Sequence, residues 1–385
     1  MEITTEGLVF LAVVGSRLLV PLLIVRFPLP AIIACLLIDA ADQSIFAAVA
    51  PDADLTGYQS YDKALDIYYL VIAYISVLRN WTNQFAIYIA RFLIFYRLVG
   101  VVLFEITGVR ELLFIFPNTF EYFFIFYEAV RLFWDPRRMS SKVLIGATAF
   151  IWIFIKLPQE WWIHIAQLDM TDFIQETIFG VEPGTAWIDT FLNRPWIVVI
   201  AVAVVIALIY AAYWLMKNKL PPRDRPLTID ADAEPDRAVP AERLAGERAR
   251  MAQTFLRPGL VEKLSLIVLV GIVFGLMLDV QAEPIGIAVI IGIVVFGNAV
   301  LSTLLERQGF GPGPALRQFV VTGVLNIVVV VVMFFVFDLL GYPIAGENTL
   351  FFVLLITLLV TLYDRYRPEY VARFQQADPG APATG

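Results

Sequence analysis

Histidine and cysteine are almost missing from this 385-residue chain, which has one of each, His164 and Cys35. A zinc or haem site built on several histidines is therefore excluded, and so is any disulfide within the chain. Charge is scarce as well. Charged side chains make up 16% of the residues, against about 25% in an ordinary soluble domain. No internal repeat is visible, so the inverted-repeat signature of many transporters is missing. Residues 1–7 lack the basic start of a secretory signal, and no small-residue cleavage site follows the first apolar run. That run is expected to stay as a membrane helix.

Apolar surface is abundant. Hydrophobic residues reach 59%, with 30 Phe, and the mean hydropathy is +0.77. One soluble core cannot hide so much apolar surface, and lipid is its natural solvent. The net charge of −7 is modest, its distribution matters more than its total, and no nucleic-acid partner is expected.

Apolar runs lie near 7–25, 29–50, 59–78, 84–106, 118–134, 143–158, 196–215, 261–279, 285–304, 319–338 and 349–363. A helix needs roughly 20 residues to cross about 30 Å of hydrocarbon. The expected fold is an all-α polytopic bundle of about eleven spans. The connections holding Arg26, Arg79, Arg137, Arg138, Lys142, the basic residues of 217–257, Arg307, Arg317, Arg365 and Arg367 alternate with connections poor in Lys and Arg. Basic connections stay in the cytoplasm, which puts the N-terminus outside and the C-terminus inside a cell membrane, such as a bacterial inner membrane.

The expected organisation is a six-span half at 1–158, an outer loop at 159–194 with an interfacial helix, and a seventh span at 195–216. A cytoplasmic linker at 217–260 follows, flexible at first and ending in a short helix. A four-span scaffold at 261–364 and a tail at 365–385 complete the chain. In the scaffold half, Gly271 and Gly275 form a GxxxG pattern and Asn298 and Asn326 are the main internal polar residues. That half is a candidate homo-oligomer interface.

Ionisable residues at membrane depth concentrate in the first half. Arg17 lies near the middle of the first run and Asp39 near the middle of the second, with Asp42 one turn further out. Asp62 is shallow in the third run and Asp66 about 10 Å in. Arg97 has a similar depth, and Glu128 falls near the middle of the fifth run, three residues before Arg131. The spacings Asp39-x2-Asp42 and Asp62-x3-Asp66 put each pair on one helix face. A charge at mid-bilayer costs at least ~2.5 kcal/mol, so these acids must face the protein interior or water. Counting Asp39, Asp42, Asp66 and Glu128 against Arg17 and Arg97 leaves acid in surplus. Protonation, a bound cation or a water-filled vestibule would balance it. Asp39, Asp42, Asp62, Asp66, Glu128, Arg17 and Arg97 are thus the candidate ion- or substrate-binding residues. A purely structural network of ion pairs is the competing reading. Among weaker candidates, Tyr58, Tyr61, Tyr68 and Tyr69 stand near the aspartates, and His164 sits beside Trp161 and Trp162.

The aspartate pattern on the second and third runs resembles that of CDP-alcohol phosphotransferases. The resemblance implies that Asp39, Asp42, Asp62 and Asp66 hold a divalent metal, with Asp66 as the base on an alcohol. The chain departs from that family at Gln43, where the family has Gly, and at Phe46-Ala47, where it has Ala-Arg. The gap between the pairs is longer, and the charge alternation turns the acids outward. The leading functional expectation is transport of a cation, or of an ion- or proton-coupled substrate, with no cofactor required. The alternatives are a metal-dependent enzyme acting on a lipid-linked substrate, and a structural subunit of a membrane complex.

Overall fold

The computed structural model describes residues 5–49, 58–168, 170–183, 185, 187–218, 221–234, 237–253, 259–277 and 349–374, with isolated helical positions at 292, 320, 324 and 328. The described chain is all-helical. In order, the helices are α1 (Thr5–Leu19), α2 (Pro28–Val49), α3 (Tyr58–Asn80), α4 (Gln84–Thr107), α5 (Glu111–Ile115) and α6 (Thr119–Phe133). Then come α7 (Ser141–Ile165), α8 (170–179), α9 (Trp187–Asn193), α10 (Pro195–Asn218), α11 (Ala241–Gln253), α12 (Leu260–Met277) and α13 (Thr349–Phe374). Among the described residues, four helical stretches are long and apolar enough to cross a membrane: Gly7–Val25, Gln84–Thr107, Ser141–Ile165 and Leu260–Met277. The expected runs at 285–304 and 319–338 lie outside the described residues apart from those isolated positions.

Local chemistry sets the boundaries. Pro21 lacks an N–H, and α1 tightens there into a 3-10 turn over Val20–Val25 before Pro28 opens α2. Asn83 caps α4 by accepting from the N–H groups of Phe85 and Ala86. Gly108 ends that helix with φ +69°, and its N–H reaches the Phe104 carbonyl.

α3 is the axis of the bundle. From Ala64 to Leu78 nearly every side chain is buried, which matches a run that is apolar on all faces. α1, α2, α4 and α6 surround it, α13 runs along it, and α12 packs against both α4 and α13. The first and last helices of the expected scaffold half therefore belong to the same core as the charged half. Gly271 and Gly275 are buried in that packing.

Two expectations need correcting. The sixth run was expected to stop at 158, with a separate interfacial helix after it. Instead α7 continues to Ile165 through two widened turns, Ile151–Lys156 and Trp161–Ile165, with i→i+5 bonding. Widening before Pro158 relieves the clash of its ring with the preceding carbonyl, so proline does not end the helix. Trp161 and Trp162 thus extend α7, and only short helices follow, at 170–179 and 187–193. The second correction concerns the linker, whose residues 221–234 were expected to be flexible. They form an extended strap across the ends of α2, α3 and α6, held by ion pairs. Composition argued for disorder, but it does not register the arginines waiting for the strap's acids.

Candidate functional site

Antiparallel packing of α1, α2 and α3 brings three separate stretches together. Arg17 sits in the last turn of α1, just before the 3-10 segment. Asp39 and Asp42 are one turn apart on α2, and Asp62 and Asp66 one turn apart on α3. The Arg17 guanidinium touches all four carboxylates. Its Nη2 lies 2.6 Å from Asp39 Oδ1 and 2.5 Å from Asp66 Oδ1. Its Nη1 donates to Asp42 and Asp62, and Nη2 also reaches the Asp62 carbonyl at 3.3 Å. A guanidinium suits this role because its planar fork presents five donors in fixed directions, which one ammonium cannot do.

Exposure is uneven. Arg17 and Asp42 are sealed, at 4% and 3% side-chain exposure, whereas Asp39 and Asp66 keep 35% and 40%. The cluster is therefore closed on one side and open on the other. Asp39, Asp42 and Asp62 each offer a carboxylate oxygen within 4.8 Å of the others, a spacing that could hold a metal ion.

Two of the sequence candidates stand elsewhere. Arg97 donates to the Phe116 carbonyl at 3.0 Å and has Glu121 and Glu160 as acidic neighbours. Glu128 does not stand among the aspartates but toward the arginine-rich end, where Trp81 Nε1 donates to it at 2.7 Å and Arg131 pairs with it at 2.7 Å. Depth counted along one helix could not reveal this, because α6 is short and its last turns belong to the basic end. The count of acids against bases shifts accordingly. Among the described residues four carboxylates meet one guanidinium, a larger negative surplus than the sequence count implied.

The tyrosines divide. Tyr69 donates to Glu121 at 3.2 Å, and Tyr68 to the Leu18 carbonyl at 3.0 Å. The side chains of Tyr58 and Tyr61 lie outside the described residues. His164 Nε2 is 3.0 Å from Glu160 Oε2, and Lys156 lies 3.6 Å from the other oxygen of Glu160. Glu160 was not singled out from the sequence. The i, i+4 spacing of Lys156, Glu160 and His164 was the available signal.

The strap acids were also missed. Asp230 pairs with Arg26 at 2.9 Å, Asp232 with Arg79 and Arg237, Glu234 with Arg131 at 3.1 Å, and Asp224 with Arg138 at 3.0 Å. The hydrogen bond from Arg26 holds the Asp230 carboxyl below the usual carboxylate range. Burial pushes the Glu234 carboxyl up, against the pull of Arg131 and Arg225. The bundle thus has an acid-rich cluster where α1, α2 and α3 meet and an arginine-rich end closed by the strap. Comparison with family models, with curated proteins and with solved structures gave no match to this chain.

Proposed function

We propose that this chain is a multi-pass protein of the cell membrane, with about eleven spans and its N-terminus outside, which moves a cation, or a substrate coupled to cations or protons, through the Arg17–aspartate cluster. The single observation that supports this is the charge imbalance of four carboxylates on one guanidinium, with Asp39 and Asp66 still accessible. Acids in such surplus are costly in a low-dielectric bundle unless something mobile balances them.

In this reading Arg17 is a tethered counter-ion. It holds the aspartates together when the site carries no cargo. An entering cation, or protons taken up by Asp39 and Asp66, would take over part of its charge and loosen its hold. Asp42, sealed behind it, keeps Arg17 in place. The strap and its arginines close the opposite end, which suits a state open to the outside only.

The test is gradient-driven flux in proteoliposomes, read with a pH- or cation-sensitive dye. Wild type should respond, and Asp39→Asn should lose about tenfold, the effect of some 1.4 kcal/mol at one ligand. A silent wild type under both proton and cation gradients would end this reading. The metal-sized spacing of Asp39, Asp42 and Asp62 favours a second reading, a metal-dependent membrane enzyme with a lipid-linked substrate. Those oxygens fit a divalent cation, which would have to compete with Arg17. Thermal stabilisation by Mg²⁺ or Mn²⁺, lost in Asp42→Asn and unaccompanied by flux, would select it.

A further inference from the structure

A second charged cluster lies far from the aspartates, where α12 and α13 meet α4, and its imbalance has the opposite sign. Glu262 is shared by two guanidiniums. Arg91 Nε is 3.1 Å from Glu262 Oε1, and Arg367 Nη2 is 3.2 Å from Oε2. Tyr74 also donates to Glu262 and accepts from Arg91 Nε at 3.0 Å. The ring of Tyr370 lies against both guanidiniums, 5.6 Å from Arg91 and 4.6 Å from Arg367. The neighbouring pair, Lys263 with Asp364 at 2.7 Å, is already balanced. Among the described residues one positive charge is therefore left over. Arg91 Nη2 and Arg367 Nε and Nη1 are buried and carry no hydrogen bond among the described residues, so the donors outnumber the acceptors around them.

Arg91 also forms one end of an open groove of about 500 Å³. Its wall is a stripe on α4, made by Tyr88, Phe92, Phe95, Tyr96 and Val99, spaced three and four residues apart on one face. Phe116 lines the groove beside them. Tyr88 and Phe92 are exposed, at 47% and 57%. α4 is long and apolar enough to cross a bilayer, and in a bilayer such an exposed apolar face would meet lipid tails.

We propose that this protein holds an anionic phospholipid at this place, with its phosphate at Arg91 and Arg367 and an acyl chain along the α4 groove. A soluble anion would satisfy the guanidiniums but leave the aromatic wall uncovered. A neutral lipid would cover the wall but leave the charge. An anionic amphiphile does both, since guanidinium pairs well with phosphate and the groove takes apolar surface. The site is independent of the aspartate cluster and of any reading of its function.

The experiment uses the full chain in nanodiscs of phosphatidylcholine, with or without added phosphatidylglycerol. Thermal unfolding is followed by tryptophan fluorescence and retained lipid by native mass spectrometry. Phosphatidylglycerol should raise the Tm of wild type and remain bound. Arg91→Gln should weaken its retention about tenfold, the loss expected for one charge-assisted hydrogen bond. Val99→Trp, which fills the groove and leaves both arginines intact, should weaken retention as well and covers the case that Arg91→Gln misfolds. Equal behaviour in the two lipid mixtures overturns the proposal. So does glycerol 3-phosphate giving the full stabilisation with Val99→Trp unaffected, which would mark a site for soluble anions.

Discussion

Arg17 shows how one residue can organise three helices. Its side chain is 4% exposed and meets carboxylates from α2 and α3, so its removal would take away the base that these four acids share. The same scale holds a purely steric case. At Gly100 a Cβ would lie 2.1 Å from Phe116 Cβ, so the absence of a side chain lets the α5–α6 connection press against α4. There Phe116 meets Tyr96, their ring centroids 4.5 Å apart. Gly100→Ala should force Phe116 outward and cost about 1–3 kcal/mol, the usual penalty of overpacking. Reversible unfolding in detergent would measure this, and an unchanged midpoint would show that Phe116 yields at no cost.

Among the elements, the strap and α7 behave least like their sequences suggest. The strap is polar and proline-containing, yet Ala231 is fully buried and its N–H donates to the Arg26 carbonyl at 2.9 Å. Its hold comes from acids meeting arginines of other elements, so it should be sensitive to charge. Asp230→Asn should speed backbone hydrogen exchange over 221–234 a few-fold at neutral pH, a modest effect because Arg26 is 58% exposed and such pairs are weak. The sign with pH follows from the depressed Asp230 carboxyl. Its contribution is complete above the unfolded value of about 4 and is lost as pH falls through the lower folded value. Wild type and Asp230→Asn should therefore converge in acid. A difference that persisted there would mean the carboxylate charge is not what holds the strap. In α7 the two widened turns carry the helix past Pro158 and leave Lys156 and Glu160 buried, each at 4% exposure.

For the molecule as a whole, the separation of charge is the main feature. Acid gathers at Arg17, and arginine gathers at the far ends of α3, α6 and α13 under the strap. The proposed orientation, acid side out, follows from the retention of basic segments in the cytoplasm. It can be checked in a Cys35→Ala background, which leaves no other cysteine. Cysteines placed one at a time in 52–57 should react with an impermeant maleimide on intact cells. Leu227→Cys, on the exposed side of the strap at 60%, should react only after permeabilisation. The reverse pattern would invert the protein and remove the argument for an outward-facing site.

The sequence alone located most of the described helices and determined the faces of their acid pairs. Apolar runs and the i, i+3 and i, i+4 spacings of Asp39, Asp42, Asp62 and Asp66 are local properties, set by helical geometry whatever lies nearby. Cap residues such as Asn83 and Gly108 are local as well. Partnership was decided only by the tertiary structure. Arg97 was as plausible a partner for the aspartates as Arg17, and Glu128 looked like a member of their group. Which of them meet depends on how each helix is rotated about its axis and where it crosses its neighbours. That is fixed by the packing of many apolar side chains together, and no spacing along one helix encodes it. The strap makes the same point, since its acids are ordered by arginines distant in sequence, such as Arg26 and Arg79, that composition within the segment does not register.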